Sequence, residues 1–189
     1  MKFRTAVRRS TVIVIIAAFS ICLGYGYQFL CEYLERRDNP RKYAEFVSGY
    51  AEEYGVPEYM VYAVMSVESG FDSAKRSDDG RVGLMQIGPE TLEWLNTAMH
   101  TDFSSGVLIE PKVNIRCGTY YLAYLYSLYG RWTPVLAAYE TNVENVTFWA
   151  LEEGNTDQNG NLTKTPYADL NKKIKEIEKK ADVYRSLYY

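Results

Sequence analysis

The hydrophobic pattern changes character once along the chain. From Thr11 to Leu30 about 20 residues pass without a charged side chain, roughly 30 Å as a helix, the thickness of a hydrocarbon core. Lys2, Arg4, Arg8 and Arg9 precede this run, and the next charge is Glu32. Beyond residue 40 the apolar residues fall at helical spacing instead. Tyr43, Phe46, Val47, Tyr50 and Tyr54 mark a first helix that stops at Gly55. Pro57 sits where a first turn tolerates proline, and Met60, Val61, Val64 and Val67 carry the next helix to Gly70. A Ser/Asp/Gly-rich loop follows from Asp72 to Gly83. A short helix is predicted from Pro89 with Leu92 and Leu95 inward, and a longer one from Pro111 through Ile115, Tyr121, Leu122, Leu125, Leu128 and Tyr129 to Gly130. Pro134 opens another, carried by Val135, Leu136, Tyr139, Val143 and Val146. Residues 153–164 read as loop, and a final helix from about Ala168 to Leu187 places Ile174, Ile177, Ala181 and Tyr184 on one face. No alternating run long enough for a strand appears, so the expected class is all-α, preceded by one transmembrane helix.

These patterns predict four segments: a basic cytoplasmic N-terminus over residues 1–10, a signal anchor over 11–30, a charged juxtamembrane linker over 31–40, and one folded domain over 41–189. The basic residues before the span place that end in the cytoplasm and export the rest, giving a single-pass membrane protein with its domain extracytoplasmic. Cleavage of the apolar segment is the alternative. Against it, only Gly24-Tyr25-Gly26-Tyr27 follows the run where a small-x-small site would stand, and Cys22 is preceded by the bulky Ile21.

Charge and cysteine content narrow the chemistry. The 21 basic and 24 acidic side chains give a net charge of −3. Setting aside the four N-terminal basic residues leaves 17 positive against 24 negative, a net of −7 for the exported part. A nucleic-acid binder, which needs clustered positive charge, is excluded, and a polymer must be gripped by a shaped cleft. Three scattered cysteines and the lone His100 give neither a disulfide framework nor a zinc site. No metal or other cofactor is expected. The lysines of the last helix, Lys172, Lys173, Lys175, Lys179 and Lys180, interleave with Glu176 and Glu178 and read as a solvated face.

The chemically informative stretch is Val67-Glu68-Ser69-Gly70-Phe71, followed after the loop by Gly83-Leu84-Met85-Gln86-Ile87. Glu68 falls in the last turn of an apolar helix, where partial burial and the negative end of the helix dipole both favour its protonated form. A carboxyl protonated near neutral pH is what a general acid requires. Read without context, however, it is a solvent-facing helical glutamate.

Several segments in fixed order decide between these. Glu68-Ser69-Gly70-Phe71, the Ser77-to-Gly80 loop, Gly83 to Ile87, Asn114-Ile115 with Gly118 and Tyr121-Leu122, Leu136 to Tyr139, Asn145-Val146 with Trp149, and Pro166-Tyr167 with the terminal helix together resemble the soluble lytic transglycosylase family of peptidoglycan-cleaving enzymes. The resemblance spans roughly Tyr43 to Tyr188. It implies a lysozyme-like, goose-type fold and cleavage of the β-1,4 bond between N-acetylmuramic acid and N-acetylglucosamine, closing a 1,6-anhydro ring in place of hydrolysis. It makes Glu68 the single acid/base and peptidoglycan glycan strands the partner. It also places Ser69, Met85, Gln86 and Tyr139 around the substrate, with the Tyr139 hydroxyl toward Glu68. Ser69 reads otherwise as a polar helix end, and Met85 equally as core filler.

The sequence departs from the family at Tyr139-Glu140-Thr141-Asn142, where Tyr-Asn-Ala-Gly is usual. Asn142 is expected to take the left-handed conformation that the glycine would allow. Glu140 adds a second carboxylate to the cleft. It leaves two alternatives to lytic cleavage open: a muramidase using Glu140 to orient water, and a non-catalytic glycan-binding scaffold.

Overall fold

The computed structural model describes the backbone of residues 2–189 and the side chains from residue 14 onward. The basic patch expected over residues 1–10 lies outside the described side chains. The chain divides into two compact units, one ending at Pro40 and one spanning Arg41–Tyr189.

The first unit is a single helix, α1, Lys2–Asp38. It does not stop at Leu30: the segment expected as a linker continues the helix, because Glu32, Leu34, Glu35, Arg36 and Arg37 are good helix formers. Arg36 pairs with Glu32 one turn back at 2.8 Å. Asn39 closes the helix, its backbone N–H and its Nδ2 both donating to the Glu35 carbonyl. Within Val14–Asp38 an 18-residue window has a mean hydropathy of 1.8 and no buried side chain, and the helix is long and apolar enough to cross a membrane.

The second unit is all helical, with isolated bridges but no strand among the described residues. Its helices are α2 (Ala44–Tyr54), α3 (Glu58–Ser69), α4 (Pro89–Met99), a 3-10 turn (Ser105–Ile109), α5 (Pro111–Tyr129), α6 (Trp132–Glu140), α7 (Val143–Ala150) and α8 (Ala168–Tyr188). Two helices make its centre. In α3, Val61, Tyr62, Ala63, Val64 and Met65 are all buried, so this helix is surrounded on every side. In α5, Ile115, Cys117, Leu122 and Leu125 are buried against α2 and α6. Helix α8 lies on α3 through Ile174, Ile177, Ala181 and Tyr184, and Tyr184 stacks on Tyr62 with ring centroids 5.3 Å apart.

One predicted helix is two. The run from Pro134 to Val146 breaks at Thr141, and α7 starts afresh after Asn142. The Asn142 side chain accepts from the Asn145 N–H at 2.8 Å, the geometry of an N-cap, and its φ of −166° is extended rather than left-handed. Asparagine therefore stands here as a helix starter and not as a glycine substitute.

Candidate active site

Three features bring the site together: the C-terminal end of α3, the loop that follows it, and a side chain from α8. Glu68 lies in the last turn of α3 and is buried. Gly70 ends the helix in the left-handed conformation, and Lys75 returns from the loop to donate its Nζ to the Glu68 carbonyl, capping that helix end with a cation. The loop then folds over in a tight turn at residues 82–87. Gly83 sits at φ 85°, and a Cβ there would lie 2.3 Å from the Leu108 carbonyl and 2.2 Å from Asn114 Nδ2. Asn114, fully buried on α5, holds the turn: its Oδ1 accepts from the Met85 N–H at 2.7 Å, and its Nδ2 donates to Val82 O and Leu108 O, both at 2.9 Å.

This turn sorts the expected substrate contacts. The Ser69 hydroxyl is buried, donates toward Met65 O (3.0 Å) and Leu84 O (2.7 Å), and accepts from Phe71 N–H (3.1 Å). It ties the turn to the end of α3, and its hydrogen bonds go to backbone groups rather than to the Glu68 carboxyl. Met85 also points inward, fully buried against Gly118 of α5, so it is core rather than cleft lining. Tyr139 is buried, and its hydroxyl donates to the Met85 carbonyl at 2.7 Å instead of to Glu68. Burial first, and then the Glu68 and Glu140 charges, hold that phenol well above its ordinary value, so the proton stays on it. Gln86 does face the groove. It is held at φ 49°, a left-handed conformation costing on the order of 1 kcal/mol, by its Nε2 donating to Gly83 O (2.7 Å) and Lys75 O (3.2 Å). His100 ends α4 at the surface, away from these groups.

The carboxylates form a charged cluster. Lys173 of α8 places Nζ 2.8 Å from Glu68 Oε1 and 2.8 Å from Glu140 Oε2, while Arg81 Nη1 lies 3.2 Å from the same Glu140 oxygen. The second guanidinium nitrogen donates to the Glu140 carbonyl, and Arg81 Nε pairs with Asp79 at 3.0 Å. Burial pushes the Glu68 carboxyl up to about 8; the Glu140 charge and a hydrogen bond shared with it add to the rise, and Lys173 opposes it. Burial also works against the charges on Lys173 and Arg81, but the neighbouring carboxylates outweigh it and hold both cations above their ordinary values.

Sequence reasoning missed Lys173 and Arg81. Lys173 read as part of a solvated face, yet it falls four residues before Ile177 on the inward stripe of α8, and that register was the available signal. Arg81 lies in the loop, where periodicity says nothing.

Outward from Glu68 runs a continuous groove. A compartment of ≈ 250 Å³ is lined by Glu68, Glu140, Lys173, Lys75, Arg81 and Gln86 among others. It shares Asp79, Arg81 and Gln86 with a second of ≈ 230 Å³, floored by Tyr121 and Tyr139. The second shares Glu90, Thr91, Tyr121 and Thr141 with a third of ≈ 310 Å³. There Trp94 packs on Tyr124 with centroids 4.4 Å apart. Polar ends and aromatic faces in a row suit an extended chain of sugars.

A family model for the transglycosylase SLT domain matches residues 45–161, well over half of the chain. The chain belongs to this family. Among relatives, the soluble lytic murein transglycosylase of Escherichia coli K12 is 29% identical over 158 residues, covering 78% of this chain and 23% of its own. The membrane-bound lytic murein transglycosylase C of Haemophilus ducreyi is 35% identical over 92 residues, 47% of this chain and 25% of its own. The chain thus spans about a quarter of the length of these relatives. The solved 70-kDa soluble lytic transglycosylase of E. coli superposes with a TM-score of 0.73 at 25% identity, over 80% of this chain and 25% of that one. The SLT family's lysozyme-like fold is therefore the fold of the second unit. Glu140, the residue that the sequence set apart, is paired on the spot with Arg81 and Lys173.

Proposed function

We propose that this SLT-domain chain is a membrane-anchored peptidoglycan lytic transglycosylase with Glu68 as its acid and base. The observation that carries the reading is a buried carboxyl protonated near neutral pH at the head of a groove suited to a glycan strand. Glu68 gives its proton to the glycosidic oxygen as the bond from that oxygen to C1 of N-acetylmuramic acid breaks. The resulting carboxylate takes the proton of the muramic acid 6-hydroxyl, whose oxygen bonds to C1. Glu68 is thereby protonated again, the 1,6-anhydro ring is closed, and no water is consumed.

A single working carboxylate suffices for this sequence, whereas hydrolysis by inversion needs two, about 6.5–9.5 Å apart with water between them. Glu68 Oε1 and Glu140 Oε2 each lie 2.8 Å from one ammonium, so they are separated by at most twice that distance, with Lys173 in the gap. That spacing leaves no room for the water that an inverting muramidase would place between the carboxylates, and the ties of Glu140 to Arg81 and Lys173 count against its serving as a free nucleophile. The apolar run of α1 serves as the anchor: residues 1–10 lie in the cytoplasm, 11–30 span the membrane once, and the domain from 41 to 189 faces the wall. Cleavage is thereby confined to glycan strands near the membrane.

The test is digestion of purified peptidoglycan by the full chain in detergent, beside Glu68→Gln, with products resolved by mass spectrometry. Anhydro-muropeptides from the wild type alone are expected. Reducing-end products would transfer the reading to hydrolysis, and tight wall binding without product would make the domain a scaffold.

A further inference from the structure

The groups around Glu68 do more than surround it. Lys173 arrives from α8, more than a hundred residues away in sequence, and its Nζ touches both buried carboxylates at 2.8 Å. Its 2.8 Å contact with Glu68 Oε1 is an ion pair without hydrogen-bond geometry, so it holds the carboxyl by charge at an oxygen that is buried and has no hydrogen-bond donor. Glu140 in turn is buried and fixed by Lys173 at 2.8 Å and Arg81 at 3.2 Å, with its backbone carbonyl also bound by Arg81. Two cations on one oxygen fix the Glu140 side chain, so that it acts on Glu68 from a constant position.

We propose that Lys173 and Glu140 are a positioning pair for Glu68: the ammonium bridging the two side chains holds the Glu68 carboxyl by charge, and the anchored Glu140 charge opposes it from a fixed position. This rests on the reading of Glu68 as the acid. Both act through the Glu68 carboxyl. The remaining charged or titratable groups near Glu68 are Lys75 on its carbonyl, Arg81 with its partner Asp79 in the loop, and Tyr139 on α6. Lys75 and Asp79 make no contact with either exchanged side chain, and Arg81 retains its bonds to Asp79 and to the Glu140 backbone carbonyl when the Glu140 side chain is exchanged.

The two partners have opposite signs, and the test uses that. The full chain in detergent micelles, as wild type, Glu140→Gln, Lys173→Met and Lys173→Arg, is followed in two ways. One is the pH profile of peptidoglycan cleavage, whose alkaline limb reads loss of the proton from Glu68. The other is the ¹³C carboxyl titration of Glu68, which needs no turnover. Removing the Glu140 charge is expected to move the limb and the Glu68 midpoint to lower pH by about one unit or more. Lys173→Met is expected to move both to higher pH and to lower kcat with KM little changed. Lys173→Arg should return both toward the wild type. Shifts of the same sign, or no shift in either variant, would overturn the proposal and leave a packing role. If Lys173→Met does not fold by near-ultraviolet circular dichroism, the direction of the Glu140→Gln shift decides alone. A wild type that yields no product would defeat the functional reading, while the carboxyl titration still judges the pair.

Discussion

Gly118 and Met85 fit each other as flat surface and projection: a Cβ built at Gly118 would lie 2.3 Å from Met85 Sδ and 2.8 Å from Met85 Cβ. The contact matters beyond packing, because the Met85 backbone is the hub of the site loop. Its N–H is held by Asn114, and its carbonyl receives the Tyr139 hydroxyl. The glycine on α5 thus sets how closely the loop approaches the core, and through it where Gln86 enters the groove.

Gly118→Ala is expected to destabilise the domain in spite of alanine's better helix propensity. The gain of about 1 kcal/mol from propensity is outweighed by overpacking, on the order of 1–3 kcal/mol, because the clash reaches the Cβ of Met85 and not only its flexible end. Cleavage activity should fall as well. Denaturant melts followed by tryptophan fluorescence check the first point, since Trp94, Trp132 and Trp149 all belong to the second unit.

Ser69→Ala should behave as a stability variant and not as a binding variant. It leaves the Leu84 carbonyl and the Phe71 N–H without the hydroxyl that joins them, a loss of about 1–3 kcal/mol. The expected kinetic result is an unchanged KM for wall fragments at a temperature where the variant is folded. A large rise in KM with normal stability would instead place Ser69 against the substrate.

The helices and the order of the motifs were legible because each rests on a local signal: apolar residues at helical spacing, and Gly55, Gly70 and Gly130 as stops in the left-handed conformation. Glu68 was legible only through the order of those motifs, because a carboxyl in the last turn of an apolar helix reads by itself as a solvent-facing glutamate. What spacing does not encode is the side of a tight turn on which a side chain emerges. Ser69 and Met85 belong to the informative motif, yet both turn inward and build the loop, and Gln86 between them and the groove is the member that faces out. The break at Thr141 was hidden because α6 and α7 continue one apolar rhythm while Asn142 restarts the backbone. Lys173 was hidden by its chemistry: a long cationic chain among other lysines looks solvated until a carboxylate from a distant helix meets it.

Glu68→Gln is expected to abolish product formation while leaving wall binding in place. Glutamine keeps the shape and still offers an oxygen to Lys173, but it has no proton to donate at an accessible pKa. The rate loss should be at least the 10²–10⁴-fold typical of a lost general acid, roughly 3–5 kcal/mol in the barrier. Residual anhydro-product above about one part in a hundred would require another acid in the groove.

The same substitution should change how stability depends on pH. The folded domain holds the Glu68 proton up to about 8, whereas the unfolded chain releases it near the ordinary value of 4.5. Between those values the folded state binds more protons than the unfolded one, so this group's stabilising contribution is complete below about 4.5 and is lost as pH rises toward 8. The size is on the order of a few kcal/mol, tempered by the Lys173 pairing that favours the charged form. Other shifted groups act outside this window. Asp79, held below its ordinary 3.8 chiefly by the Ser77 hydroxyl, adds stability that disappears only in stronger acid. Lys173, held above its ordinary 10.5, loses its contribution only in stronger alkali. Thermal melts of wild type and Glu68→Gln across pH 5–8.5 therefore isolate Glu68. The expected result is a wild-type melting temperature that falls across the range and a nearly flat profile for the variant, which becomes the more stable protein at the alkaline end. Parallel profiles would mean that Glu68 is already ionised at pH 5, and the general-acid reading would lose its basis.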